Sequence, residues 1–184
     1  MQTKQSTSRP YESVRSLLDG KTGIIRDQIV GKRVNHSGRF PIIGDDSITP
    51  SEVGMPHVFL RTATIRERAY DLNLKDLRKA VQIGVGIPGG AAQIEPSDGD
   101  VLELDQLDLD HRNLLASKLQ PGWFVHRYMR TGDVVLMNRA PTLWKQGIMA
   151  HLIHGTLNPD AGEAARIPLP CTKPYNADFD GDEM

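Results

Sequence analysis

Three aspartates at alternating positions near the end of the chain are the residues best suited to chemistry. Asp178, Asp180 and Asp182 are separated by single residues. In an extended segment such positions point to one side, and Gly181 can take backbone angles that other residues resist. The three carboxylates can therefore converge on a hard cation such as Mg²⁺, which prefers oxygen ligands in octahedral geometry.

Three carboxylates this close repel one another, and this repulsion bears on their pKa values. Without a cation or a neighbouring basic side chain, like charges raise the pKa values. A divalent ion removes that penalty, so the loop is costly alone and favourable with metal. Phe179 lies between the first two aspartates. It is apolar and is predicted to anchor the loop in the core.

The loop by itself leaves other interpretations open. Acid-rich turns with glycine are common and are often only solvated, because Asp side chains hydrogen-bond the local backbone. An EF-hand calcium loop expects acids at positions 1, 3 and 5, Gly at 6 and Glu at 12. Here Gly181 falls between the second and third aspartates, which breaks that pattern. A carboxylate-metal phosphatase or nuclease is a further possibility.

Composition is ordinary for a globular protein. Of 184 residues, 39% are hydrophobic and 24% charged, which suits one domain or one domain with a smaller lobe. The sequence contains no stretch of eighteen apolar residues, so it predicts no membrane-spanning helix. Cys171 is the only cysteine, which excludes an intramolecular disulfide and a cysteine-cluster zinc site and fits a reducing compartment.

A net charge of -1 does not by itself indicate a nucleic-acid binder. The total hides a basic segment, in which Asp27 is the only acid, and an acidic segment at 95–110. The basic side chains are Lys21, Arg26, Lys32, Arg33 and Arg39. Such a cluster can contact phosphates, although a solvated basic face is the simpler interpretation of an isolated cluster.

The six histidines show no metal-ligand spacing and are predicted to be structural or surface residues. They are His36, His57, His111, His126, His151 and His154.

Short apolar runs broken by glycine predict a β-rich core with a helical insertion. Strands are expected at 24–25, 29–30, 41–43, 58–65, 148–153 and 166–169, and a hairpin from 123–129 and 134–137. A helix is predicted to begin at Asn73 and end at Gly84, because Leu74, Leu77 and Val81 share one face. A second helix is predicted at 110–119, and a loop or short hairpin at 85–100. The predicted class is mainly β with α insertions, α+β.

Three motifs occur in the order found in one family. Residues 176–184, NADFDGDEM, resemble the NADFDGD motif of the largest subunit of multisubunit RNA polymerases, in its eukaryotic, archaeal or large-virus form. Residues 31–39, GKRVNHSGR, resemble that family's GKRVDxSxR segment, and residues 138–144, NRAPTLW, resemble NRxPTLH. Weaker similarity covers most of residues 9–184.

This resemblance implies a double-psi β-barrel active-site domain and DNA-directed RNA synthesis by nucleotidyl transfer. Asp178, Asp180 and Asp182 resemble the catalytic ligands of a tightly held Mg²⁺, and a second Mg²⁺ arrives with the nucleotide in a two-metal mechanism. Arg139 and Asn176 resemble residues that read the sugar hydroxyls of the substrate.

The resemblance also implies partners and an organisation of the chain. Lys21, Arg26, Lys32, Arg33 and Arg39 resemble basic positions along the template strand. Expected partners are the other polymerase subunits, especially the second-largest, with template DNA, nascent RNA and nucleoside triphosphates, and no membrane. The expected location is intracellular: the nucleus for a cellular eukaryote, the cytoplasm or a virus factory for a virus. Residues 1–20 are expected to connect from upstream, and 21–184 to form the barrel region, with an insertion at about 71–121.

Some positions depart from the family pattern. Ile24 stands where the family usually has Arg, Asn35 replaces Asp, and Trp144 replaces His. Trp has no titratable group, so we do not expect a role here that depends on that histidine. We expect the barrel to be incomplete at its C-terminal end and the isolated chain to be inactive. A nucleic-acid-binding or assembly module without activity of its own is the alternative.

Overall fold

The computed structural model describes residues 34–97, 99–155 and 162–184, together with positions 14, 18, 23–25 and 29. The chain divides into two compact units, Met1–Ser37 and Gly38–Met184. In the first unit, Ile24, Ile25 and Ile29 are helical. The strands predicted at 24–25 and 29–30 are therefore wrong at these positions, because a short β-branched run does not distinguish a strand from a helix. Val30 lies outside the described residues.

In its described residues the second unit contains two β-sheets and few helices, so the predicted α+β class is confirmed at that level. The first sheet has five strands in the order β1-β9-β2-β8-β7. Its strands are β1 (Ile42–Gly44), β2 (Glu52–Met55), β7 (Val134–Asn138), β8 (Ile148–Gly155) and β9 (Ala165–Ile167). The pairs β1–β9 and β2–β8 are parallel, and β2–β9 and β7–β8 are antiparallel.

Several short helical segments accompany this sheet in the described part of the chain. They are α1 (His57–Thr62), a 3₁₀ turn at Lys145–Gly147, and a second 3₁₀ turn at Leu169–Cys171. The second turn leads directly into a four-residue helix at Thr172–Tyr175. The core beneath the sheet includes Val53, Leu60, Ile153, Ile167 and Tyr175, each at most 2% exposed.

The second sheet is antiparallel, with the order β3-β6-β4-β5. Its strands are β3 (Thr64–Arg68), β4 (Ala91–Glu95), β5 (Leu102–Glu103) and β6 (Phe124–Tyr128). Helices α2 (Leu74–Ile83) and α3 (Leu109–Lys118) pack together beside it. Leu77, Val81, Ile94 and Val125 form a separate apolar core there.

Helix α2 occupies the predicted position, but its start differs in detail. Asn73 precedes the first helical residue, yet its side chain makes no capping bond. Instead its Oδ1 accepts from the Tyr70 N–H at 2.7 Å, and its Nδ2 donates to Glu67 Oε1 at 2.9 Å. Gly84 ends the helix with φ +86°, a conformation that favours glycine. The second predicted helix is confirmed as α3.

Two predicted strand features are wrong. Residues 57–62 form helix α1 before β3 begins, because burial of Leu60 overrides the β-forming tendency of the segment. Strands β6 and β7 do not form a hairpin with each other, since β6 pairs with β3 and β4 while β7 pairs with β8. These pairings join distant parts of the chain and leave no local signal in the sequence.

A buried ion cluster connects the two sheets. Arg127, on β6 and 6% exposed, donates to Glu67 on β3 at 2.5 Å. The same guanidinium donates to both carboxylate oxygens of Asp133, at 2.7 and 2.8 Å, in the turn before β7. None of the helices among the described residues is long and apolar enough to cross a membrane.

Candidate metal centre

The aspartate loop begins at the end of a short helix, which we call α4 (Thr172–Tyr175). Asn176 ends this helix in the left-handed conformation, with φ 49° and ψ 44°, which Asn tolerates better than most residues. The Asn176 N–H donates to the Lys173 carbonyl and the Ala177 N–H to the Thr172 carbonyl, each at 3.0 Å. The chain therefore turns sharply away from α4 just before Asp178.

The far side of the loop is held by backbone hydrogen bonds to the segment that leads into β1. The Ile42 N–H donates to the Asp182 carbonyl at 3.0 Å. Phe40 and Met184 exchange two hydrogen bonds at 2.9 Å, on either side of the antiparallel bridge between Pro41 and Glu183. The loop is thus fixed at both ends.

The three aspartate side chains converge between these ends. One carboxylate oxygen from each of Asp178, Asp180 and Asp182 lies within 4.8 Å of the others. The oxygens around one Mg²⁺ lie about 3 to 4 Å apart, given metal–oxygen distances of about 2.0–2.1 Å. Small side-chain rotations would close the difference, so these carboxylates fit a magnesium ion. Gly181 has φ +116°, which agrees with the predicted need for glycine in the curled loop.

Arg139 lies against the third aspartate. Its Nε and Nη2 donate to Asp182 Oδ2 and Oδ1 at 2.7 and 2.9 Å, a bidentate pair. Asp182 Oδ2 also accepts from the Asp178 N–H at 3.0 Å. Arg139 directly follows strand β7, so the five-stranded sheet places this guanidinium beside the loop.

The pKa values of the outer aspartates move in opposite directions. The Arg139 hydrogen bonds, with a further bond from the Asp178 N–H, lower the pKa of Asp182 to about 2. The neighbouring Asp180 and Asp182 side chains raise the pKa of Asp178. Asp182 is therefore held as a carboxylate, whereas ionisation of Asp178 is opposed by the neighbouring carboxylates.

Phe179 does not anchor the loop in the core, contrary to prediction. Its side chain is 42% exposed and lies over Gly44, where an added Cβ would be 3.0 Å from the ring. Tyr175 provides the buried aromatic anchor instead, at 2% exposed. No signal in the sequence distinguishes these two aromatic residues, because the burial of each depends on distant strands.

The segment after Arg139 packs beside the loop. Thr142 Oγ1 donates to Asn138 Oδ1 at 2.6 Å, closing the turn after β7. The following 3₁₀ turn contacts α4. Trp144 is 62% exposed, so the residue that departs from the NRxPTLH pattern presents its ring to solvent.

Of the predicted nucleic-acid contacts, only Arg39 can be placed. Lys21, Arg26, Lys32 and Arg33 lie outside the described residues. Arg39 Nε lies 2.5 Å from Glu183 Oε2, and its side chain is 77% exposed. This ion pair connects Arg39 to Glu183, the residue that directly follows Asp182. Asn176, the other predicted sugar-binding residue, is exposed.

The predicted structural role of the histidines agrees with the two that share β8. His151 is buried and His154 is exposed, because residues three apart on a strand point to opposite faces.

A mixed α/β domain that presents three converging aspartates beside an arginine defines a candidate carboxylate metal centre. Residues 31–184 match the family described as RNA polymerase Rpb1, domain 2. The chain therefore belongs to the family of RNA polymerase largest subunits, as the sequence motifs predicted.

Several relatives match along nearly the whole chain. The chain is 38% identical over 181 residues to the DNA-directed RNA polymerase subunit Rpo1N of Thermococcus celer, covering 98% of the chain and 19% of that subunit. It is 33% identical to the Rpo1N subunit of Methanothermobacter thermautotrophicus, covering 98% and 20%. It is 36% identical over 193 residues to the DNA-directed RNA polymerase I subunit RPA190 of Saccharomyces cerevisiae, covering 100% and 11%. The chain spans about one-fifth or less of the length of these relatives.

Proposed function

We propose that this chain forms the metal-binding part of a DNA-directed RNA polymerase active site, which synthesises RNA by nucleotidyl transfer. The observation that carries the proposal is the convergence of Asp178, Asp180 and Asp182 within 4.8 Å, at the end of a chain whose relatives are polymerase subunits. These matches do not favour the alternative of a module without a part in catalysis. The five-stranded sheet would belong to a double-psi β-barrel.

The chain's own residues would hold and orient the reacting groups. Asp178, Asp180 and Asp182 would hold one Mg²⁺, and a second would arrive with the nucleoside triphosphate. The bound metal would activate the RNA 3′-hydroxyl and neutralise charge on the α-phosphate. Arg139 and Asn176 would recognise the sugar hydroxyls, and Arg139 also keeps Asp182 ionised through the bidentate pair.

The proposed partners follow from the same reaction. They are template DNA, nascent RNA, nucleoside triphosphates and the other polymerase subunits, in particular the second-largest. Lys21, Arg26, Lys32, Arg33 and Arg39 would contact phosphates of the template, positioning it without reading its sequence. The proposed location is intracellular, in the nucleus or, for a viral enzyme, in the cytoplasm or a virus factory.

Asp180→Asn in the full-length subunit, assembled into its polymerase, tests the proposal. Asn keeps the size of the side chain but removes its charge, so we expect nucleotide addition to fall at least about 100-fold while assembly survives, since even residues that only support metal ligands contribute about 10–100-fold. Asp71→Asn is the matched control, because Asp71 is exposed in the turn between β3 and α2. Normal RNA synthesis by the Asp180 variant would disprove the assignment of the metal site.

A further inference from the structure

A buried hydrogen bond joins His151 to Tyr175, three residues before the first aspartate of the loop. His151 Nε2 and Tyr175 Oη are 2.7 Å apart, and the two side chains are 5% and 2% exposed. The remaining buried residues of this core are almost all apolar. A buried polar pair in such surroundings is favourable only when its two partners stay within hydrogen-bonding distance, because loss of one partner leaves the other unsatisfied.

The pair connects the loop to the strand that also supports Arg139. His151 lies within β8, which is paired to β7 through Val135 opposite His151 and Asn138 opposite Ile148. Arg139 follows directly after β7. Tyr175 is the last residue of α4, three residues before Asp178. The paired strands β7 and β8 thus contact both ends of the loop. Arg139, after β7, contacts Asp182, and His151, on β8, contacts Tyr175 before the loop.

The chemistry of the pair suits a fixed contact. Burial lowers the pKa of His151, although the nearby Pro50 carbonyl opposes part of that shift, and burial raises the pKa of Tyr175. Both side chains are therefore neutral near pH 7, and the tautomer decides which one donates. His151 Nδ1 is buried and makes no hydrogen bond of normal geometry within the described part of the chain. The tyrosine hydroxyl is thus the side-chain partner of the imidazole, beside the Pro50 carbonyl, and that hydroxyl also lies near the Met149 backbone.

We propose that His151 and Tyr175 are a positioning pair, which fixes the start of the aspartate loop against β8 so that Asp178 is aligned with Asp182. The inference rests on the proposed metal site and deepens it. A phenylalanine at position 175 would fill the same space, but would lose the hydrogen bond that joins the end of α4 to β8. Residues that orient metal ligands from behind typically change metal affinity by about 10–100-fold.

The test uses the full-length subunit assembled into its polymerase, with Tyr175→Phe as the main variant. Fe²⁺ bound in place of Mg²⁺ reduces added hydrogen peroxide to hydroxide and a hydroxyl radical, and added ascorbate returns the resulting Fe³⁺ to Fe²⁺. The radicals cleave the chain next to the bound ion, so Mg²⁺ competition against this cleavage reports metal affinity without any turnover. We expect Tyr175→Phe to weaken apparent Mg²⁺ affinity about 10-fold. Ile153→Val is the matched control, because it removes one methylene from the same face of β8 and leaves the pair intact.

A pair of substitutions at the other partner makes the test independent of the tyrosine. His151→Gln retains a group that can hydrogen-bond the tyrosine hydroxyl, whereas His151→Leu retains none. We expect the Leu variant to lose metal affinity as Tyr175→Phe does, and the Gln variant to recover part of it. Wild-type affinity in both Tyr175→Phe and His151→Leu would overturn the inference. Failure of all three variants to assemble, with Ile153→Val assembling, would assign the pair to folding alone and overturn it equally.

Asp180→Asn, measured in parallel, separates this inference from the proposed function. If Asp180→Asn abolishes the localised cleavage and Tyr175→Phe leaves it unchanged, the metal site stands and the positioning role fails. If cleavage near the loop persists in Asp180→Asn, the metal assignment itself fails, and the positioning role fails with it.

Discussion

Replacing Arg127 with Met tests whether the buried ion cluster holds the two sheets together. Arg127 is 6% exposed and makes hydrogen bonds to Glu67 at 2.5 Å and to both oxygens of Asp133. Met has a similar length but no charge. The variant therefore leaves two carboxylates, with 26% and 10% of their side chains exposed, without their guanidinium.

The magnitude follows from the burial of the cluster. Removing one partner from a buried ion pair typically destabilises a protein by about 3–5 kcal/mol, because an uncompensated charge remains. With a denaturant dependence of about 2 kcal/mol per molar urea for a domain of this size, the midpoint of unfolding should fall by about 1.5–2.5 M. Since the free energy of unfolding of a domain is about 5–15 kcal/mol, the expected loss is a large fraction of it.

Equilibrium urea unfolding of the 184-residue chain, followed by circular dichroism and by tryptophan fluorescence, measures the change. Arg66→Met is the matched control. Arg66 lies on β3 in the same sheet as Arg127 and pairs with Glu95, and these two side chains are 46% and 25% exposed. Surface ion pairs contribute little, so the control should lose far less than Arg127→Met. A triple variant adds Glu67→Gln and Asp133→Asn to Arg127→Met. Its free energy of unfolding should be about 1 kcal/mol or more above that of Arg127→Met, because the two further substitutions remove the uncompensated charges.

A loss below about 1 kcal/mol for Arg127→Met would refute this reasoning, because surface pairs reach that value. A triple variant no more stable than Arg127→Met would show that packing of the long side chain, and not charge compensation, accounts for the loss.

Two further predictions concern helix ends. Gly84→Ala should lower the free energy of unfolding in urea by about 1–3 kcal/mol. The backbone angle φ +86° is strained for other residues, and the new Cβ would overlap the Arg112 guanidinium. An unchanged midpoint of unfolding would contradict this prediction. The Asp108 carboxylate caps α3 by accepting from the His111 N–H at 2.9 Å, and this bond lowers its pKa. Its contribution is present above the ordinary carboxyl pKa of 3.8 and is lost as pH falls through the lowered folded value. The stability difference between wild type and Asp108→Ala should therefore be present at pH 7 and vanish in acid, as measured by urea unfolding at each pH.

Local sequence signals predicted the features whose causes are local. The spacing of Leu74, Leu77 and Val81 predicted α2, and Gly84 predicted its end. The alternation of the aspartates predicted that their carboxylates would converge, and the geometry agrees. In each case the residues that decide the outcome lie within one helix or one loop.

Features that depend on distant residues could not be predicted. The contact between Arg139 and Asp182 spans 43 residues, and that between Arg127 and Glu67 spans 60. The supposed hairpin failed for the same reason, since β6 and β7 each pair with a strand outside it. Chain neighbours say little about such contacts, because the sheet order brings them together. The motif resemblance identified Arg139 but assigned it only to the sugar, not to the aspartate it contacts.

The two possible roles of Arg139 can be separated by Arg139→Lys. Lysine keeps the positive charge but cannot form the fork that contacts both oxygens of Asp182. If the fork orients Asp182, the full-length assembled enzyme should bind Mg²⁺ about 10-fold more weakly even without nucleotide, as measured by competition against localised Fe²⁺ cleavage. We expect this result, since residues that orient metal ligands contribute about 10-fold or more. If Arg139 acts only on the sugar, metal affinity without nucleotide should be unchanged, and only the preference for ribonucleotides over deoxyribonucleotides should fall. Unchanged metal affinity would therefore contradict an orienting role, whereas a loss of both would show that one guanidinium supports the metal ligands and the substrate together.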